Sequence, residues 1–148
     1  MSVTLRESVR EILSHPAVQA HKGFIQHGKI SVYAHCISVA KLCLKLADTV
    51  SHITGAKFDR RSLVRAALLH DFFMYDWHDD WNKLHGFYHP DVARRNACKH
   101  FDINPREESI IASHMWPMTL FTFPACREAW ILVIADKVVS LRETLFKR

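Results

Sequence analysis

The apolar run Ala66-Ala67-Leu68-Leu69 ends abruptly in two adjacent polar side chains, His70 and Asp71. A chain that sets an imidazole and a carboxylate at the edge of a hydrophobic interior must supply them with partners, because an unpaired buried charge is costly. That partner is a backbone group, an arginine or a metal ion. Any further metal ligands have to come from elements that pack near this pair.

Those elements are expected to be helices. Only 4 glycines and 5 prolines interrupt 148 residues, and long stretches free of both favour helices over short strands. With 49% apolar and 24% charged residues, a chain of this length fits a single domain, residues 1–148, folded as an all-α, compact bundle of about five to seven helices.

From Ser31, the residues Val32, Cys36, Val39, Ala40, Cys43, Leu44 and Ala47 recur at the spacing of an amphipathic helix, with His35 beside the stripe. Upstream, Thr4-Leu5-Arg6-Glu7 has the form of a capping box ahead of Val9, Ile12 and Leu13. Residues 16–30 are mixed and polar and read as loop or a short helical turn. Asp59 can cap the helix that leads into His70. Residues 72–88 are crowded with aromatics and histidines, either a loop packed on the core or the wall of a pocket. His89-Pro90-Asp91 places proline at the first position of a helix with Val92, Ala93, Ala97 and Phe101 on its apolar face. Asn104-Pro105-Arg106-Glu107 opens another, which carries Ile110, Ile111 and His114. A long last helix starts near Ala125, with Trp130, Val133, Ile134, Val138, Leu141 and Leu145 expected to face inward. Asp136 sits in its middle among apolar residues and, like Asp71, requires a partner.

The formal charge of +5 and pI of about 9.2 come from scattered lysines and arginines. This favours a small anionic substrate and argues against a nucleic-acid-binding face. The 11 histidines carry more weight, since metal ligation is one of the few uses for many imidazoles at once. Cys36, Cys43, Cys98 and Cys126 form no metal-binding or redox spacing, and the first two are expected to pack as small hydrophobes. There is no signal-peptide pattern and no apolar run long enough to span a membrane, so a reducing cytoplasm is the expected location.

Collected in chain order, the metal-capable residues are His35, His70, Asp71, His89, His114 and Asp136. They are drawn from separate helices or helix starts, as in a buried metal centre of a helical domain. This order, with Ala-Ala-Leu-Leu-His-Asp at the centre, His-Pro-x-x-Ala at His89, Ile-Ile-x-x-His at His114 and Ala-Asp-Lys at Asp136, resembles the HD-domain superfamily of metal-dependent phosphohydrolases. It is most similar to the six-ligand, two-metal-capable version. The resemblance covers residues 30–145.

The resemblance implies that His35, His70, Asp71 and Asp136 hold a first metal, and that Asp71 bridges to a second held by His89 and His114. Family members use iron, manganese, zinc, nickel or magnesium. The nitrogen-rich ligand set favours a transition metal over magnesium. One or two such ions would keep residual positive charge, attract a phosphate and make a metal-bound hydroxide available for in-line attack on a phosphomonoester or phosphodiester. A nucleotide or other small phosphorylated metabolite is the expected substrate.

Around this centre, Asp71, His85 and Lys137 are the candidate catalytic residues, His85 as a proton donor to the leaving group. Arg94, Arg95 and Lys137 could hold substrate phosphate, although surface charges on helices would look the same in sequence. Trp81, within the aromatic stretch, could stack a base, as could Trp116 and Phe121, or these rings could close the core.

The residues after the central pair, Phe72-Phe73-Met74, and the single histidine at His114-Met115 depart from cyclic-dinucleotide phosphodiesterases of the HD-GYP type. Those usually have Ile-Gly-Lys and a doubled histidine at these places. Two other classes share the ligand pattern: mixed-valent di-iron oxygenases built on the HD fold, and non-catalytic metal- or ligand-sensing domains. The small size and the lack of a lysine cluster favour the hydrolase, and a homo-oligomer is compatible with any of these classes.

Overall fold

A computed structural model of the chain describes residues 3–78 and 84–146, and Trp81 therefore lies outside the described residues. The chain folds around one nearly fully buried helix, α4 (Arg60–Leu69), in which every residue from Ser62 to Leu69 is buried. Asp59 caps it, accepting from the Ser62 amide at 3.0 Å and the Ser62 hydroxyl at 2.8 Å. Against α4 pack α1 (Val3–Ser14), α3 (Val32–Thr54), α6 (Pro105–Ala112) and α7 (Arg127–Phe146). Helix α5 (His85–His100) joins on the α6 side, and the short α2 (Pro16–Gln19) follows α1. The all-α expectation holds, with seven α-helices among the described residues. None of them is long and apolar enough to cross a membrane.

Local sequence explains the ends of the longest element. Ser31 caps α3 by accepting from the Ala34 amide at 3.2 Å. Gly55 ends it in the left-handed conformation at φ 73°, which glycine adopts without steric cost. The buried face of α3 is Val32, His35, Cys36, Val39, Ala40, Cys43 and Ala47, the stripe expected from its spacing with His35 added and Leu44 only half-buried. Asn104 and Glu107 form the reciprocal capping box at the start of α6.

Four expectations differ from the structure. Thr4 lies inside helix α1 and not at its cap. Residues 16–30 contain the short helical turns allowed for, α2 and a 3-10 turn at Ala20–Gly23, but continue into an antiparallel hairpin of β1 (Ile25–His27) and β2 (Ile30–Ser31). Helix α5 begins at His85, more than a turn ahead of the expected start, and holds Pro90 in its interior. The extra turn is stabilised by side chains: the rings of His85 and His89 stack at 4.4 Å and 11°, a contact available only at helical i, i+4 spacing.

The fourth difference is the rotation of α7. Its buried residues are Glu128, Ala129, Ile131, Leu132, Val133, Ala135, Asp136, Val139 and Glu143. Ile134, Val138, Leu141 and Leu145, expected inside, are between 41% and 60% exposed. The helix is apolar nearly all round, so its period does not choose a face. Its carboxylates do: Asp136 and Glu143, seven residues apart, lie on one side and both meet His35, and Glu128 accepts from the Asp59 amide and Arg106.

Opposite the histidines, Arg65 of α4 is 1% exposed and its guanidinium binds three neighbours. It donates to Glu107 Oε1 at 2.9 Å, the Asp102 carbonyl at 2.9 Å and Glu11 Oε2 at 3.2 Å, tying α1 and the start of α6 to the central helix. Replacing one member of such a buried pair strands the other. Arg65→Met is expected to lower unfolding free energy by about 3–5 kcal/mol in urea titrations, and adding Glu107→Leu should recover part of that loss.

Candidate metal centre

Two helix ends converge on the site. His70 follows the last residue of α4, and its Nδ1–H donates back to the Ala67 carbonyl at 2.7 Å. His114 follows α6 and does the same to the Ile111 carbonyl at 2.7 Å. On α5, His89 Nδ1–H donates to the His85 carbonyl at 2.8 Å. Each backbone acceptor fixes the proton on Nδ1 and leaves an Nε2 lone pair aimed inward. His35 on α3 is held in the same way by a side chain, its Nδ1–H donating to Glu143 Oε2 at 2.8 Å.

The Nε2 atoms gather around two carboxylates. Asp71 Oδ2 lies 3.4 Å from His70 Nε2 and 3.7 Å from His35 Nε2, and Asp136 Oδ1 lies 3.1 Å from His35 Nε2 and 3.5 Å from His70 Nε2. Asp71 Oδ1 faces the other way, 3.1 Å from His89 Nε2 and 3.5 Å from His114 Nε2. The two oxygens of one carboxylate thus serve two neighbouring groups of donors. All six residues singled out in the sequence come together here, each at most 7% exposed.

The cluster calls for positive charge. His89 Nε2 and His114 Nε2 are only 2.9 Å apart with both lone pairs facing inward. His70 Nε2 and Asp71 Oδ1 are buried without a hydrogen-bond partner. The carbonyl ends of α4 and α6, where the helix dipole is negative, point at the same place. Burial would keep His35 neutral, but its hydrogen bonds to Asp136 and Glu143 outweigh that and raise it to about 10. His70 is likewise disfavoured by burial yet raised well above an ordinary histidine by the charge of Asp71. Burial pushes Asp71 and Asp136 up, but the imidazoles hold both well below the usual carboxylate range. His114, whose burial dominates, is lowered. Protons on imidazoles thus balance the carboxylates, and a divalent cation would satisfy the same lone pairs more completely. Oxygen and nitrogen donors in these two groups fit such an ion.

Over the cluster opens a cavity of about 780 Å³. Asp71, Asp136 and His89 form part of its floor, and Trp77, His85 and Lys137 line its walls. His85 is sandwiched between His89 and Trp77, whose ring stacks on it at 5.2 Å and 16°. Its Nδ1 lies 3.0 Å from the Tyr75 hydroxyl. Burial, with His89 adding to it, lowers His85 to about 3, so its imidazole is neutral near pH 7. Lys137 reaches the His114 carbonyl at 3.5 Å, and burial lowers its ammonium somewhat.

Arg94 and Arg95 do not line this cavity. Arg94 is clamped between Asp91 and Glu108, each at 2.7 Å, and Arg95 pairs with Asp91 at 3.0 Å. Phe121 is fully exposed, and Trp116 packs edge-on against Phe123 and Trp130.

Two contributors were not singled out in the sequence. Glu143 is 1% exposed and orients His35; its only signal is a position seven residues beyond Asp136. Gln26, on the hairpin, donates to Asp71 Oδ2 at 2.7 Å, and nothing in the polar stretch around it marks that role.

The family model for the HD domain matches residues 32–141. The chain belongs to the HD-domain family. HD domains are typically metal-dependent phosphohydrolases and bind divalent metal ions. The searches of curated proteins and of solved structures found no match. In this HD domain Glu143 stands behind His35 as an outer carboxylate. Glu143→Gln is expected to weaken metal binding by about 10–100-fold in chelator competition, while Glu143→Asp should retain more of it.

Proposed function

We propose that this HD domain is a metal-dependent hydrolase of a small phosphorylated molecule, with His35, His70, Asp71 and Asp136 holding one ion and Asp71, His89 and His114 a second. The observation that carries this reading is the double use of Asp71, one oxygen directed to each group of imidazoles. The nitrogen-rich donors favour iron, manganese, zinc or nickel over magnesium. A bound divalent ion supplies Lewis-acid polarisation of a phosphoryl oxygen and lowers the pKa of water.

The chain's own residues position the substrate beside that centre. Lys137 lies on the cavity wall next to Asp136, placed to neutralise a non-bridging phosphoryl oxygen. A neutral His85 that donates to the ester oxygen through its other ring nitrogen would accept from the Tyr75 hydroxyl at Nδ1, a contact of 3.0 Å. Gln26 and Glu143 hold Asp71 and His35 in place, so the ligands need not reorganise when substrate arrives.

The test pairs elemental analysis of the purified protein with hydrolysis of p-nitrophenyl phosphate and bis-p-nitrophenyl phosphate. Activity should vanish with chelator and return with Mn²⁺ or Fe²⁺. His70→Ala and Asp71→Asn should each lose at least about 100-fold, beyond the range typical for outer residues, with thermal unfolding checked in parallel. Full activity in Asp71→Asn, or in metal-free protein, would refute the proposed centre. An iron centre that consumes oxygen with a polar substrate and hydrolyses no ester would replace hydrolysis with oxygenase chemistry.

A further inference from the structure

The walls of the cavity do not match a multiply charged substrate. Apart from the metal-ligand floor, Lys137 is the only lysine or arginine lining it among the described residues. Arg94 and Arg95, the other nearby cations, are committed to Asp91 and Glu108. Among the described residues, the polar side chains lining it besides the floor, Lys137 and His85 are Gln26, His27, Ser140 and Thr144, and two of these are turned to the carboxylates. Gln26 donates to Asp71, and the Ser140 hydroxyl donates to Asp136 Oδ1 at 3.3 Å.

Most of the remaining described wall is apolar. Trp77 presents a ring stacked on His85, and Met115, Pro117, Met118 and Leu141 face the same space. Gly86 makes room for this wall: a Cβ there would come within 2.9 Å of Met118 Sδ. Met118 and Leu141 are 48% and 60% exposed and adjoin the cavity, so an apolar group seated there would cover both. A cavity of about 780 Å³ is far larger than one phosphoryl group and lies within the range that encloses a small organic ligand.

We infer that the substrate is a monophosphate ester of an apolar alcohol. Its single phosphoryl group sits at the ligand floor beside Lys137, and its hydrocarbon body lies against Trp77, Met115, Pro117, Met118 and Leu141. This rests on the phosphohydrolase reading and narrows it away from nucleoside di- and triphosphates and dinucleotides. In the reaction, water adds its oxygen to phosphorus and the phosphorus–oxygen ester bond breaks. The leaving alkoxide takes up a proton, giving a neutral apolar alcohol and inorganic phosphate.

The experiment compares ethyl, butyl and hexyl phosphate, whose leaving groups have nearly the same basicity, with adenosine monophosphate and glycerol phosphate, on Mn²⁺- or Fe²⁺-loaded protein. A fully buried methylene is worth about fourfold. Hexyl phosphate should therefore exceed ethyl phosphate in kcat/KM by at least about tenfold, mostly through KM, and should exceed adenosine monophosphate. Calorimetry with the non-hydrolysable ethyl- and hexylphosphonates should show the same order in Kd. In the double variant Met118→Asn, Leu141→Asn the dependence on chain length should flatten.

Equal rates and equal Kd values along the alkyl series, or preference for the nucleotide, would overturn the inference and leave the hydrolase reading standing. Chain-length-dependent phosphonate binding with no hydrolysis of any ester would support the apolar wall and defeat the hydrolase reading instead.

Discussion

Two carboxylates, Asp71 and Asp136, are almost wholly buried at the floor of the cavity, and the rest of the structure answers that placement. A buried carboxylate keeps its charge only if neighbours replace its hydration. Here the replacement comes from four imidazoles on α3, α5 and the ends of α4 and α6. The charge of the pair therefore selects which helix faces turn inward. It also makes the site suited to a cation before any chemistry is considered, since carboxylates and imidazole nitrogens gather at one point.

How much of this is legible in sequence depends on whether a residue's type is unusual for its surroundings. His70, Asp71 and Asp136 stand out because each interrupts an apolar run, and His35 and His114 because they sit beside helical stripes. Glu143 is invisible by that criterion. Near the end of a helix rich in charge, a glutamate reads as solvated, and only its spacing from Asp136 places it inside. Gln26 is harder still, since it arrives on a two-stranded hairpin whose sequence looks like loop. Hairpin order there is imposed by packing against α3 and α7 and not by strand propensity.

Helix α7 shows why hydrophobic periodicity misplaces a face. Ile131, Leu132, Val133 and Ile134 run consecutively, so burial of any side would satisfy the apolar residues about equally. Free energy then decides through the polar ones. Leaving Asp136 and Glu143 paired with His35 and exposing Ile134 and Leu141 costs less than the reverse rotation, which would bury the apolar side and strand His35 between two withdrawn carboxylates. In a helix with apolar residues on every side, the polar residues set the rotation.

The same central helix separates what must be rigid from what can vary. Along its buried length α4 carries Arg65, locked to Glu107, Glu11 and the Asp102 carbonyl, and at its end it delivers His70 and Asp71. Movement of the pair by even a fraction of an ångström would have to drag α1 and α6 with it, through a close-packed interior. Met118 and Leu141, at the cavity mouth, carry no such constraint, because they touch solvent and bind none of the ligands. Substitutions there can reshape what the cavity accepts without disturbing the carboxylates. A domain built this way fixes its clustered carboxylates and imidazoles in the core and leaves the cavity mouth to a few exposed side chains.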